Sequence, residues 1–185
     1  MTTRPVADPL LYNVSALLTE PPGATRDYLV AGVMIDLGDL RQGDPIEGRV
    51  HLARTNRGLL VHAELTTSLD TECSRCLRAI EVPVEVRMDE EALPSIDIVT
   101  GQPVNAGADP DVIRLTDHHE LDLEAPVREA IQLAEPIAPL CEPDCPGLCP
   151  VCGERMTNGP HDHGDEAIDP RLEALKAFRV DGEGD

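Results

Sequence analysis

Six cysteines and two histidines carry the chemistry this sequence offers. Cys141, Cys145, Cys149, Cys152, His161 and His163 fall within one short segment, CEPDCPGLCPVCGERMTNGPHDH, and Cys73 and Cys76 stand far upstream in TECSRCLRA. Thiolate and imidazole, four at a time in tetrahedral geometry, are the ligands of structural zinc. Cys149-Pro-Val-Cys152-Gly153 has the form of a metal knuckle. A Cys-x-x-Cys turn puts two sulfurs on one side, and the glycine supplies the positive φ that lets amides turn toward them. Counting pairs predicts two structural zinc ions. Cys149, Cys152, His161 and His163 form a local set, and Cys73, Cys76, Cys141 and Cys145 form a four-sulfur set closed across the fold. Cys145 can instead join the local set, so the partition between sites stays open at this point.

These residue types have other uses. Six cysteines can make three disulfides in a secreted domain. However, the first eighteen residues show no basic start followed by an apolar run, so no signal peptide is predicted. A redox dithiol needs a thioredoxin-like βαβ setting, and both Cys-x-x-Cys pairs stand in turn-rich sequence. His161-Asp-His163 can also be read as a solvated loop. A catalytic zinc keeps an open position and three protein ligands. Here the cysteines come in full pairs and no His/Glu helix motif appears, so the sequence reads as a non-enzyme with no catalytic residue and no small-molecule substrate.

Composition narrows the class. The chain has 185 residues, 41% of them hydrophobic, which suits a soluble globular protein. No apolar run approaches the length of a membrane span. Thiolates kept for zinc point to a reducing, cytoplasmic compartment. The formal net charge is −20, and a zinc held by four thiolates adds a further charge of about −2. Such a field repels nucleic acid and suits a basic protein partner, although from charge alone a merely solvated acidic surface is the simpler reading. Tyr12, Tyr28 and Phe178 are the only aromatic residues, too few for an RNA-stacking platform. The charge is uneven: from residue 41 to 87, seven arginines balance seven acids, whereas residues 88–145 hold fourteen acids against Arg114 and Arg128.

The elements that must position the ligands are legible as an α+β domain, with a small antiparallel sheet or hairpin body, one or two packed helices and a C-terminal zinc knuckle. Residues 1–27 read as an N-terminal arm that packs one short element onto a body spanning 28–140. A strand is expected over 28–37. Residues 46–53 lead through a turn at 54–58 into 59–69, where Leu59, Val61, Ala63, Leu65, Thr67 and Leu69 alternate with polar residues. After the Cys73–Cys76 turn, Ile80, Val82, Val84, Val86 and Met88 share one face. Period-two alternation predicts a half-buried antiparallel hairpin with the first cysteine pair at its tip. Pro83 cannot donate to a ladder, so its strand is expected at an edge or bulged.

Gly101, Pro103, Gly107 and Pro110 mark residues 94–117 as an acidic linker, ending in His118 and His119, read as solvated. Leu123, Val127, Ala130, Ile131 and Ala134 form a helical stripe over 123–134, with Pro126 in the first turn. A zinc-binding segment and C-terminal helix fill 141–180, the helix over 170–179 capped by Asp169, and residues 181–185 read as a disordered tail.

Cys73-Ser-Arg-Cys76-Leu on a hairpin, an acidic gap, a helix ending in prolines, then Cys145-Pro-Gly-Leu-Cys149-Pro-Val-Cys152-Gly153 and a closing Asp169-Pro-Arg-Leu172 helix together form a specific pattern. It resembles the YceD family, the large ribosomal RNA subunit accumulation proteins, over roughly residues 28–178. The resemblance implies a cytoplasmic, non-enzymatic factor supporting 23S rRNA synthesis, processing or stability during large-subunit assembly. Its partners would be the large ribosomal subunit precursor, through a basic ribosomal protein or 23S rRNA. His161-Asp-His163 stands where the family is expected to close with Cys-x-Cys. Residue spacing alone reaches an acidic, zinc-stapled binding protein, and a zinc-thiolate redox sensor is the competing reading.

Overall fold

The computed structural model describes residues 10–104, 112–156, 159, 162, 163 and 171. In chain order the elements are β1 Leu11–Asn13, α1 Ser15–Thr19, β2 Thr25–Val33, β3 Arg41–Gln42, β4 Ile46–Arg54, β5 Leu59–Glu72, β6 Ala79–Leu93, β7 Ile113–Arg114, β8 Glu120–Asp122 and α2 Glu124–Leu133. The fold is α+β. A six-stranded sheet runs β2-β4-β5-β6-β7, with β3 also on β5, and β1 pairs separately with β8.

The long hairpin β5–β6 is the spine. Its unbroken antiparallel register runs from Leu59↔Ala92 to Glu72↔Ala79. Fourteen rungs reach roughly 45 Å, far enough to carry the tip clear of the main core. The alternation does what the sequence requires: Leu59, Val61, Ala63, Leu65 and Leu69 are buried on one strand, and Val84, Val86 and Met88 on the other. Pro83 faces Ser68 across the hairpin, while β6 meets β7 only at Ala92 and Leu93. Pro83 therefore sits on a free edge, where a missing N–H costs no ladder bond.

The pattern breaks at Ser68, an outward position that is nevertheless buried. There the chain crosses from β3 to β4. Ser68 Oγ accepts from the Asp44 N–H at 2.7 Å and donates to Glu81 Oε1 at 2.5 Å, while Thr67 Oγ1 donates to the Asp44 carbonyl at 2.6 Å.

Helix α2 lies across the apolar face of the sheet. Leu123, Val127 and Ile131 are fully buried, each such aliphatic side chain contributing about 1.5–3 kcal/mol. Asp122 Oδ1 accepts the Glu124 N–H at 2.9 Å, meeting one of the orphan donors of the first turn. Gln132 Nε2 donates to the Leu37 carbonyl at 3.1 Å and Arg128 Nε to the Asp36 carbonyl at 2.5 Å, so the helix is tied to the loop after β2.

Several expectations need revision. The strand expected over 28–37 runs instead over Thr25–Val33, with a register shift between Val30 and Val33 where Gly32 takes φ 73°. The 94–117 stretch, expected as a linker, is structured where it is described. Asp97 accepts from the Val99 and Thr100 amides, Ser95 Oγ donates to the Leu115 carbonyl at 2.6 Å, and Ile113–Arg114 is a parallel strand on β6. Leu10, Tyr12, Val14, Leu17 and Leu18 belong to the main core. His118 is exposed, but His119 takes φ 57° and its Nδ1 is buried. The helix expected over 170–179, the tail 181–185 and His161 lie outside the described residues.

Candidate metal centres

At the hairpin tip the chain reverses within Cys73–Cys76. The Leu77 N–H donates to the Cys73 carbonyl at 2.9 Å and the Cys73 N–H to the Arg78 carbonyl at 2.8 Å. Leu77, the residue after the second cysteine, takes φ 55°. The same turn recurs at Cys149–Cys152. There the Gly153 N–H donates to the Cys149 carbonyl at 2.9 Å, the Cys149 N–H to the Glu154 carbonyl at 2.7 Å, and Gly153 takes φ 74°. The Glu154 N–H also points at Cys152 Sγ, 3.4 Å away. Two knuckles of one design therefore face two different closures.

Beyond α2, the bent stretch that carries Pro136 and Pro139 delivers Cys141 and Cys145 to the hairpin tip. The Ser74 N–H donates to the Pro139 carbonyl at 2.8 Å, and Arg75 Nη1 to the Cys145 carbonyl at 3.0 Å. Gly147 takes φ 83° against the Arg75 carbonyl, where a Cβ would lie 3.2 Å from the oxygen. Cys73 Sγ lies 3.8 Å from Cys145 Sγ, and Cys76 Sγ lies 3.7 Å from Cys141 Sγ. These distances far exceed a disulfide bond. They match the separation of about 3.8 Å between two sulfurs that share an edge of a tetrahedron with 2.3 Å metal–sulfur bonds.

The ligand atoms of Cys73, Cys76, Cys141 and Cys145 all lie within 4.8 Å of one another, and so do those of Cys149, Cys152 and His163. Both groups can hold a metal ion. Cys149 Sγ is 3.2 Å from His163 Nε2. Of the eight residues singled out in the sequence, seven fall into these two groups, with Cys145 in the first. His161 lies outside the described residues.

Electrostatics separates the members of the first group. Backbone N–H donors, that of Cys76 foremost, hold the Cys73 thiol down at about 6 against the opposing effect of burial. Burial pushes the Cys145 thiol up to about 12 and raises Cys141 as well. Without a cation, burial therefore favours the protonated thiols of Cys141 and Cys145. A divalent ion must displace those protons, and that makes loading pH-dependent. The cysteines Cys73, Cys76 and Cys145 form a small buried cluster of their own, flanked by Ile80, Leu140 and Leu148 and separate from the main core.

Arginines supply what the cysteine pattern did not reveal. Arg155 reaches from the second knuckle to the first, with Nε on the Cys76 carbonyl at 2.9 Å and Nη2 on the Leu77 carbonyl at 3.0 Å. The Met156 N–H donates to the Gly147 carbonyl at 3.1 Å. Arg78 stands beside Cys141 and Cys76, and negative charge on those sulfurs when they ionise holds its guanidinium pKa up. In the sequence the only hint was position: Arg75 lies between two cysteines, and Arg155 follows the second knuckle by three residues.

Residues 61–179 match the family described as Large ribosomal RNA subunit accumulation protein YceD. The chain belongs to the YceD family. Both candidate metal groups fall inside the matched range. An uncharacterized protein of Mycobacterium tuberculosis is 33% identical over 178 residues, covering 93% of this chain and 82% of its own length. One of Mycobacterium leprae is 26% identical over 176 residues, covering 91% and 77%. No solved structure matches the chain. Among the described residues no helix is long and apolar enough to cross a membrane.

Proposed function

We propose that this YceD-family chain is a non-enzymatic cytoplasmic factor in large ribosomal subunit biogenesis, supporting the synthesis, processing or accumulation of 23S rRNA. The family match over residues 61–179 carries the reading. In this reading both metal groups hold structural Zn²⁺. Cys73, Cys76, Cys141 and Cys145 staple the hairpin tip to the segment after α2. Cys149, Cys152 and His163, with His161 as fourth ligand, shape the region beyond. Thiolates with imidazole favour zinc over the hard cations, and closed four-ligand sets leave no position for catalysis.

The partner is a basic protein of the large-subunit precursor, with direct 23S rRNA contact as the second mode. A groove with a cavity volume of about 760 Å³ between the hairpin and the end of α2 supports this choice. Among the described residues, Asp39, Asp70, Glu72, Glu81 and Glu135 line it against the cation Arg41. Complementary charge of this kind speeds encounter and is weakened by salt.

Gradient sedimentation of lysate at low salt tests the role. The chain should co-migrate with large-subunit precursors, and its depletion should lower 23S relative to 16S rRNA. A chain wholly in the free fraction, with rRNA levels unchanged on depletion, rules the reading out. Thiol titration before and after mild peroxide separates it from redox sensing, which requires oxidation to eject metal and alter function.

A further inference from the structure

The solvent face of the sheet carries a second set of metal-ligating side chains, far along the hairpin from the cysteines. Asp27, His51, His62 and Asp89 form one continuous row across β2, β4, β5 and β6. Asp27 is the register partner of His51, His51 of His62, and His62 of Asp89. Directly opposed residues on one face have Cβ atoms about 5 Å apart, so His51 and His62 stand side by side on adjacent strands. His51 Nδ1 lies 2.8 Å from Asp27 Oδ1, and His62 Nδ1 lies 2.7 Å from Asp89 Oδ1. Each ring thus donates through Nδ1 to an outer carboxylate, which fixes the tautomer and leaves the Nε2 lone pair available. An imidazole oriented and made more basic by a carboxylate on its far nitrogen is the usual second layer of a histidine–metal site. Glu64 Oε1, 3.9 Å from His62 Nε2, adds an oxygen on the same face. Both histidine side chains are 41% exposed, so an ion can reach them and keep water in its remaining positions.

We propose that His51 and His62 form a third metal-binding site, for an exchangeable divalent transition-metal ion of the kind that takes imidazole and carboxylate ligands. Its chemistry differs from that of the two cysteine groups. Two imidazole nitrogens with water in the remaining positions suit Zn²⁺, Ni²⁺ or Cu²⁺, and a set with open positions binds and releases its ion more readily than a closed thiolate cage. The register that makes the pair is pinned by the β4–β5 turn. There the Thr55 N–H donates to the Gly58 carbonyl at 2.9 Å, Thr55 Oγ1 accepts from the Gly58 N–H at 3.0 Å, and Arg54 Nη1 donates to the Gly58 carbonyl at 2.9 Å. The two imidazoles are therefore held on paired strands before any ion arrives.

The test uses the full chain, loaded with zinc to its thiolate capacity and then titrated with Ni²⁺ by calorimetry while retained zinc is counted. One further equivalent of Ni²⁺ should bind with no zinc released. His51→Ala and His62→Ala should each abolish that equivalent, and Asp27→Asn or Asp89→Asn should weaken it about tenfold, the lower end of what an orienting carboxylate contributes. His118→Ala, on another element, should leave it unchanged. All these side chains are surface groups, so thermal midpoints without Ni²⁺ should stay together. Absence of the extra equivalent, its survival in either sheet-histidine variant, or uptake of Ni²⁺ only by displacement of zinc would each overturn the proposal.

Discussion

The turn at Cys73–Cys76 and the turn at Cys149–Cys152 are built from the same pair of backbone hydrogen bonds, yet the first is buried and the second ends in exposed Cys152 and His163. The difference lies in where the closing ligands come from. Cys145 meets Cys73 across 72 residues of chain, whereas His163 meets Cys149 across 14. Closing the longer loop removes more freedom from the unfolded chain, by about 1.5 kcal/mol in a simple polymer estimate. The first closure also joins two elements that share no other core, the hairpin tip and the segment after α2. The second shapes one local stretch. One local motif thus serves as a tertiary staple in one place and as a loop former in the other.

Removing each closure in turn gives the largest expected effects. Cys145→Ser should lose the ion of the first group and destabilise the chain by more than about 3 kcal/mol, since structural zinc often supplies folding free energy outright. Cys149→Ser should cost less, with hydrogen exchange rising mainly beyond Leu148. Metal analysis should give about two zinc per wild-type chain and about one in each variant. Equal, global unfolding in both variants would contradict the comparison, and a wild-type value near one would remove the second site.

Acid should act on the same closures, with a definite sign. Cys73 has a folded-state pKa of about 6, below its ordinary value of 9.0, so its contribution is present at alkaline pH and fades as pH falls through 6. Cys145 and Cys141 are shifted upward by burial. In the metal-free chain they therefore favour folding below their ordinary range, and that support is lost in alkali, for Cys145 as pH climbs toward 12. A metal holds all four as thiolates, so zinc retention should fall on acidification while the metal-free chain alone weakens in alkali. Urea midpoints of both forms from pH 5 to 10 decide this, and parallel curves would show that the thiols do not hold the ion.

What the sequence revealed and what it hid divides along a physical line. Both knuckles, the hairpin faces and the α2 stripe carry their signal within a few residues, because cysteine spacing and periods of 2 and 3.6 are local. Leu11–Asn13 and Glu120–Asp122 pair across more than a hundred residues in strands of three. Three residues hold no readable period. The Val30–Val33 bulge shifts a strand that an apolar run placed too far along, and Ser68 is buried by a backbone crossing no alternation foretells. The His51–His62 row was latent: the turn between Arg54 and Leu59 fixes that register, but only once the hairpin partner is known. Arginine contacts to carbonyls leave no pattern, because any arginine near a turn looks the same in sequence.

A smaller effect is expected where the two knuckles touch. Arg155 donates to the Cys76 and Leu77 carbonyls but is itself exposed, so Arg155→Ala should cost only about 1 kcal/mol. Its value lies in coupling. Losing the second ion frees the stretch that positions Arg155, and this should reach the first group through those two carbonyls. A double-mutant cycle between Arg155→Ala and Cys149→Ser, read as the rate of zinc release from the first group, should be non-additive. Strict additivity would mean that the two groups act alone.

The smallest predicted change exchanges the one residue at which the two turns differ in strain. Leu77 and Gly153 occupy the same place after the second cysteine, at φ 55° and φ 74°. A leucine there bears the clash of Cβ with the backbone, about 1 kcal/mol, which glycine avoids. Glycine in turn gives the unfolded chain more freedom, which offsets part of the gain. Leu77 is 53% exposed, so little packing is lost with it, and its carbonyl remains available to Arg155. Leu77→Gly should therefore leave stability unchanged or raise it by less than about 1 kcal/mol, with two zinc retained. Gly153→Leu should lower stability by about 1 kcal/mol, confined to the second knuckle, because it introduces the strain the first already carries. If Leu77→Gly instead weakened the first group by several kcal/mol, the leucine side chain would be packing that group, and the likeness of the two turns would end at the backbone.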